Sequence, residues 1–154
     1  METIRFKKYM FTITANSKVK SIRVKNTKSK LGLNEKDKNS IEKRLKNKLR
    51  QYFSGKYVEL NEEVDLSDLT SFESRVLLEI RKISYGELIG YGELAENIGK
   101  PNAIRAVGIA LNKNPAPIVI PCHRVVSKNG LGGYKYSNNL KKALIRIESE
   151  ISRF

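Results

Sequence analysis

Asn114-Pro-Ala-Pro-Ile-Val-Ile-Pro-Cys-His-Arg-Val-Val126 holds the only cysteine and the only histidine of this 154-residue chain, side by side. A thiolate is a nucleophile and imidazole is a base near neutral pH. Their adjacency in an apolar run bounded by prolines points to thiol chemistry, where a lone cysteine elsewhere would be read as a small buried hydrophobe. The run closed by Pro121 predicts a buried strand ending in a turn that presents Cys122 at the rim of a pocket. Neighbouring side chains point apart on strands and helices, so His123 is expected to reach the thiol through a water, with a carboxylate from elsewhere holding its second ring nitrogen.

Working outward, the length suits one compact unit or two small subdomains sharing a core, and a hydrophobic fraction of 40% is ordinary for a globular protein. One cysteine excludes an internal disulfide, and one Cys with one His cannot furnish a usual closed zinc site. The expectation is a reduced protein with no metal and no cofactor. No apolar run approaches the roughly 20 residues of a membrane span, and the N-terminus lacks a signal-peptide core, so a cytoplasmic monomer with no membrane partner is expected.

The net charge of +14 argues for a polyanionic partner, because each neutralised phosphate releases counterions. Its distribution is uneven. Residues 1–56 carry 17 basic and 4 acidic side chains, residues 57–96 carry 3 and 10, and residues 97–154 carry 10 and 2. The first block fits solubility as well as DNA contact. The second basic block holds the Cys-His segment and points to DNA.

Two short strands, Ile4 to Thr14 and Val19 to Val24, are predicted as a hairpin turning at Asn16-Ser17. From Ser40, the residues Ile41, Leu45, Leu49, Tyr52 and Phe53 recur at helical spacing until Gly55, predicting an amphipathic helix on that hairpin. Tyr57 to Leu66 adds a possible strand, and Glu62-Glu63 reads as a solvated link. Thr70-Ser-Phe-Glu73 has the spacing of a capping box, opening a helix with a buried stripe of Phe72, Val76, Leu77, Ile80 and Ile83 that ends near Gly86. The fold class is α+β, with an N-terminal sheet-plus-helix subdomain over 1–66 and a mainly helical C-terminal subdomain over 67–154.

Gly92 to Ile98, the break Gly99-Lys-Pro101 and Asn102 to Lys113 have the form of a helix-turn-helix. A helix that decodes the major groove carries several Arg, Asn, Gln or Lys side chains. This one offers mainly Asn102 and Arg105 among Ala103, Ala106, Gly108 and Ala110, which suits docking that ignores sequence. Ile104, Val107 and Leu111 are assigned to the core. Gly130-Leu-Gly-Gly-Tyr134 reads as a flexible loop able to wall a pocket. Leu140, Leu144, Ile147 and Ile151 mark a final amphipathic helix, with Lys141 and Glu148 two turns apart on one side.

The Asn114–Val126 segment resembles the active-site signature of the O6-alkylguanine-DNA alkyltransferases, single-use DNA repair proteins, and the likeness extends over about residues 70–148. The resemblance implies a ribonuclease-H-like N-terminal subdomain, no cofactor, and double-stranded DNA containing O6-alkylguanine as partner. It implies Cys122 as alkyl acceptor, His123 as base through water, Glu148 orienting the imidazole and Asn114 bracing the network. Tyr91 matches the tyrosine that donates to a guanine ring nitrogen, and Arg105 the arginine that fills the stack when the nucleotide flips out. Asn102, Ala103, Ala106, Gly108 and Arg124 complete the expected DNA contacts, with the helix lying in the minor groove. The backbone of Val125, with Cys122, would take the exocyclic amine, while Pro117, Tyr134, Lys135 and Lys141 would belong to the substrate pocket. The loop at Gly130–Tyr134 departs from the family by being one residue short, and Ile109 stands where glycine is frequent. Two other readings compete: a non-enzymatic DNA-binding or lesion-sensing module, and a Cys-His hydrolase.

Overall fold

The computed structural model describes residues 1–26 and 41–152; Ser40, the expected start of the first helix, lies outside them. Three antiparallel strands, β1 (Glu2–Phe6), β2 (Tyr9–Ala15) and β3 (Val19–Asn26), form a sheet in chain order. The expected single strand over Ile4–Thr14 is therefore two. Lys7, at φ 53°, turns the chain between them. Alternation decides which face is buried: Tyr9, Phe11 and Ile13 point inward from β2, with Ile4 and Val24 paired on either side of Phe11.

Helix α1 (Ile41–Phe53) covers that face with Leu45, Leu49 and Tyr52, all fully buried, and Phe53 stacks on Phe6 at a centroid distance of 4.4 Å. Residues 57–66 form no strand. Only Val64 bridges beside Val19, held by Val19 N–H donating to Glu63 O at 2.8 Å and Asp65 N–H donating to Val19 O at 2.9 Å. Nor is the acidic link simply solvated, because Glu62, Glu63 and Asp65 pair with Lys48, Lys18 and Lys20. Part of the first basic block thus neutralises the acidic stretch that follows it.

Thr70 and Glu73 form the reciprocal capping box that opens α2 (Ser71–Ile80). This helix ends at Ile80, earlier than expected, and a turn-rich stretch carries the chain to Gly86. Gly86 sits at φ +78°, and a Cβ there would lie 2.4 Å from Ser152 Oγ, so only glycine admits the C-terminal helix this close. Next come β4 (Ile89–Gly90), α3 (Tyr91–Asn97) and α4 (Ile104–Asn112), the latter two making the helix-turn-helix around Gly99 and Pro101. Val107 and Leu111 are buried as the spacing requires, whereas Ala110, expected among the small residues of the open face, is buried with them. Ile104 is not core but 49% exposed, because it is the first residue of α4 and faces out beside Arg105.

Asn114–Pro121 is a tight turn instead of a strand. Prolines 115, 117 and 121 cannot donate to a ladder, so the chain closes on itself through a Pro117–Ile120 bridge, with Ile118 at φ 78°. A β-branched residue in that region is strained by about 1–3 kcal/mol, which its buried surroundings must offset. The turn joins the two halves. Ile22 N–H donates to Pro115 O at 2.8 Å; Ala116, Ile118 and Val119 belong to the core under the sheet, while Ile120, Cys122 and Val125 belong to the core of α2, α3 and α4. A 3-10 turn (Cys122–Arg124) leads into β5 (Val125–Val126), which pairs in parallel with β4, and α5 (Asn138–Ile151) closes the fold.

The capping box gives a direct stability test. Thr70→Ala removes the acceptor for Glu73 N–H and should cost about 1 kcal/mol, lowering Tm by about 2–4 °C in a thermal melt.

Candidate active site

Glu148 on α5 is 1% exposed, yet ionised. Its Oε1 accepts from His123 Nε2 at 2.7 Å, Tyr52 Oη at 2.8 Å and Arg124 Nη2 at 2.9 Å, and its Oε2 accepts from Arg124 Nε at 2.7 Å. Burial alone would raise its pKa, but the charges and hydrogen bonds of His123 and Arg124 overcome that and bring it to about 2. Arg124 also donates to Ile83 O and lies 4.7 Å from the Tyr85 ring centroid.

Because the carboxylate can only accept, His123 Nε2 must carry a proton toward it, leaving Nδ1 as the basic nitrogen of the neutral ring. Nδ1 is buried and has no hydrogen-bond partner among the described residues. The carboxylate expected from elsewhere in the chain is thus Glu148.

Cys122 is 7% exposed, and burial pushes its thiol pKa up. Opposing that rise are a hydrogen bond from Asn114 Nδ2 to Sγ at 3.0 Å and the nearby charge of Lys141. Asn114 is itself fixed, donating to Ile120 O at 2.8 Å and accepting from Ala116 N–H at 2.9 Å. Tyr134 Oη is buried without a bonded partner, close enough to the thiol for each to influence the other's titration but outside bonding geometry; its pKa is raised first by burial and then by Cys122.

A cavity of about 580 Å³ opens over the thiol. Its walls include Tyr91, Arg105, Gly108 and Ile109 on the helix-turn-helix side and Tyr134, Lys135 and Tyr136 on the loop side. Gly132, at φ +67°, permits the loop to approach, since a Cβ there would lie 3.1 Å from both Ser127 N and the Tyr91 ring. Asn102, Arg105 and Ala106 are exposed, and Ala103 and Gly108 partly so, giving α4 a low open face.

Four expectations need correction. Arg124 does not face DNA: it is 5% exposed and bound to Glu148, because a buried carboxylate needs a matched cation. Pro117 is buried in its turn and does not line the cavity. The Val125 carbonyl already accepts from Lys141 Nζ at 2.6 Å. Lys141 does not line the cavity but is wholly buried, donating also to Leu131 O at 2.5 Å and Gly133 O at 3.2 Å; it clamps the loop from behind the cavity wall. Burial lowers its pKa, and Cys122 works against that fall. One contributor escaped the sequence. Tyr52 reads as one more residue of an apolar stripe, and only the proximity of α1 to α5 reveals its role. Ile109 on an otherwise small-residue face was visible as an anomaly and is 54% exposed at the cavity.

Fold and site together define a helix-turn-helix protein that holds a lone thiol under the open face of its second helix. The chain belongs to the 6-O-methylguanine DNA methyltransferase family, whose DNA binding domain matches residues 71–150. A methylated-DNA–protein-cysteine methyltransferase of Metallosphaera sedula is 43% identical over 104 residues, which is 68% of this chain and 65% of that protein's length. The Mycobacterium tuberculosis protein of the same name is 46% identical over 101 residues, covering 65% of this chain and 61% of its own length. Beyond the matched stretch, the fold carries the likeness: a crystal structure of Mycobacterium tuberculosis OGT in complex with DNA superposes with a TM-score of 0.83 at 34% identity, over 97% of this chain and 92% of that one.

The depressed Glu148 pKa makes stability depend on pH in a fixed direction. Ionised Glu148 contributes fully above the ordinary glutamate range near 4.5, and its contribution is lost as pH falls toward about 2. Urea denaturation across that acid range should show Glu148→Gln with a flatter stability profile than the wild type. At neutral pH the variant should be less stable by about 3 kcal/mol, because Arg124 stays buried without its counter-charge.

Proposed function

We propose that this protein repairs O6-alkylguanine in duplex DNA by transferring the alkyl group irreversibly to Cys122, one group per molecule. The observation that carries this reading is the constellation at the cavity floor: a lone thiol held by Asn114, followed by a histidine whose Nε2 rests on a buried carboxylate. In the reaction the Cys122 thiolate attacks the alkyl carbon in line with the C–O bond. A C–S bond forms, the C–O bond breaks, and the guanine oxygen keeps the electron pair. The thiol proton passes through a water to His123 Nδ1, and the imidazolium is stabilised by Glu148.

Tyr91 supplies the proton or hydrogen bond that guanine needs on departure. Burial, with Cys122 nearby, raises its pKa, so it remains a donor at neutral pH. Arg105, exposed on α4 at the cavity mouth, fills the stack vacated by the flipped nucleotide, while the small residues beside it allow close approach to the minor groove. Residues 67–154 carry DNA contact and chemistry in this scheme, and residues 1–66 brace them. A thioether does not hydrolyse as a thioester does, so the product thiol is not regenerated.

Intact mass after incubation with an oligonucleotide containing O6-methylguanine tests the proposal. One methyl should be gained, mapping to Cys122, and Cys122→Ala should gain none; repeated turnover by one molecule would sink it. The role of Arg105 is separately measurable. Arg105→Ala should slow transfer from a fully paired duplex about tenfold or more, and much less from single-stranded DNA or from a lesion opposite a poor pairing partner, where unstacking is already cheap. An equal loss on all three substrates would make Arg105 an ordinary phosphate contact.

A further inference from the structure

Tyr52 lies on α1, 96 residues from Glu148 in sequence, yet its hydroxyl is bonded to the carboxylate on which His123 rests. It is fully buried, and its ring meets Tyr85 edge-on at 6.0 Å. Oε1 of Glu148 therefore receives three donors, whereas an oxygen of a carboxylate has about two lone pairs to offer. Tyr52 and His123 compete for one atom.

We infer that Tyr52 is a positioning residue that restrains the site: by drawing charge from Glu148 Oε1 it weakens the carboxylate's support for a protonated His123, and so holds the Cys122 thiol in its protonated form until substrate arrives. This rests on the reading of Cys122 as a single-use acceptor. A thiol that can react only once is wasted by any stray electrophile or oxidant, so a resting state poor in thiolate protects it.

The surroundings agree in direction. Facing Glu148 are His123 and Arg124 from the 3-10 turn and Tyr52 from α1, with Tyr85 across the guanidinium; facing the thiol are Asn114, Tyr91, Tyr134 and Lys141. Arg124 already keeps Glu148 ionised and clamps both of its oxygens. The Tyr52 hydroxyl is thus not alone in holding the carboxylate, and toward the histidine what it adds is a further withdrawal of charge from the oxygen nearest the imidazole. Burial of Cys122 acts in the same sense, favouring the neutral thiol. Through Tyr52 the N-terminal helix reaches the chemistry without touching the cavity.

The test uses the full chain and iodoacetamide, whose iodide leaves as the C–S bond forms, with the rate followed by intact mass from mildly acid to alkaline pH. Cys122 is the only cysteine, so the mass change reports on it alone. Tyr52→Phe keeps the ring and removes the donor. It should react about threefold to tenfold faster at neutral pH, with the half-maximal rate reached at lower pH, because the freed carboxylate oxygen bonds the imidazole more strongly and only part of that gain reaches the thiol. In a His123→Gln background, which retains a donor toward Glu148 but no base, the same substitution should change nothing. Tyr85→Phe removes a neighbouring hydroxyl, bonded to Val58 O and not to Glu148, and should leave the profile where it is. An unmoved or upward-shifted profile for Tyr52→Phe overturns the inference. So does an acceleration that persists with His123→Gln, which is what a loosened fold exposing the thiol would give. Failure of methyl transfer from DNA would remove the repair reading while leaving these rate comparisons intact.

Discussion

A single carboxylate organises this molecule. Taking Glu148 out of water would cost several kcal/mol if it stood alone, and the fold meets that cost with a guanidinium, an imidazole and a phenol drawn from two separate stretches of chain. Each donor then fixes something else. Arg124 reaches Ile83 O and thereby holds the end of the α2 connection; Tyr52 ties α1 to α5; His123 sets its own tautomer. The electrostatic requirement of one buried charge, more than any apolar contact, aligns the two halves around the thiol.

The proline-rich turn at Asn114–Pro121 is the mechanical counterpart of that charge. Its successive residues feed one core and then the other, Ala116, Ile118 and Val119 under the sheet and Ile120, with Cys122 just beyond, among the helices, so the thiol is tied to both cores. Three prolines make the turn stiff at the expense of strand geometry, and the left-handed Ile118 shows that the shape is imposed by packing against local preference. A nucleophile that meets a carbon in line, as proposed for Cys122, benefits from a rigid floor, since misplacement by about 1 Å can cost two orders of magnitude in rate.

How far the sequence could be read follows from the range of the interaction involved. Local signals were legible: the period of α1, the Thr70–Glu73 capping box, the Gly99-Lys-Pro101 corner and the Cys-His pair are all written within a few residues. Contacts between distant segments were not. Lys141 is expected in the substrate pocket, and nothing local says that carbonyls of β5 and of the loop after it will surround its ammonium instead. Arg124 looked like a DNA contact because cations in a basic block usually are. Glu148 was assigned only through family likeness, since its partners lie 24, 25 and 96 residues away. The strand expected before Cys122 does not form for a different reason: three prolines leave the apolar run without the donors that a ladder needs.

The charge distribution is intelligible once the pairs are known. Lysines of the first basic block are partly spent on Glu62, Glu63 and Asp65, so its large formal excess overstates what it can offer a polyanion. The second block is different, because among its described residues Arg124 and Lys141 are buried and face inward on structural duty while Arg105 stands exposed on α4. Around it lie Ala106, Gly108 and two exposed isoleucines, Ile104 and Ile109, an arrangement of shape and apolar surface with few groups able to read base edges. Such a face gains binding from phosphate attraction and close fit, both blind to sequence. Lesions arise in any context, so a face that cannot spell suits the repair reaction proposed for this chain.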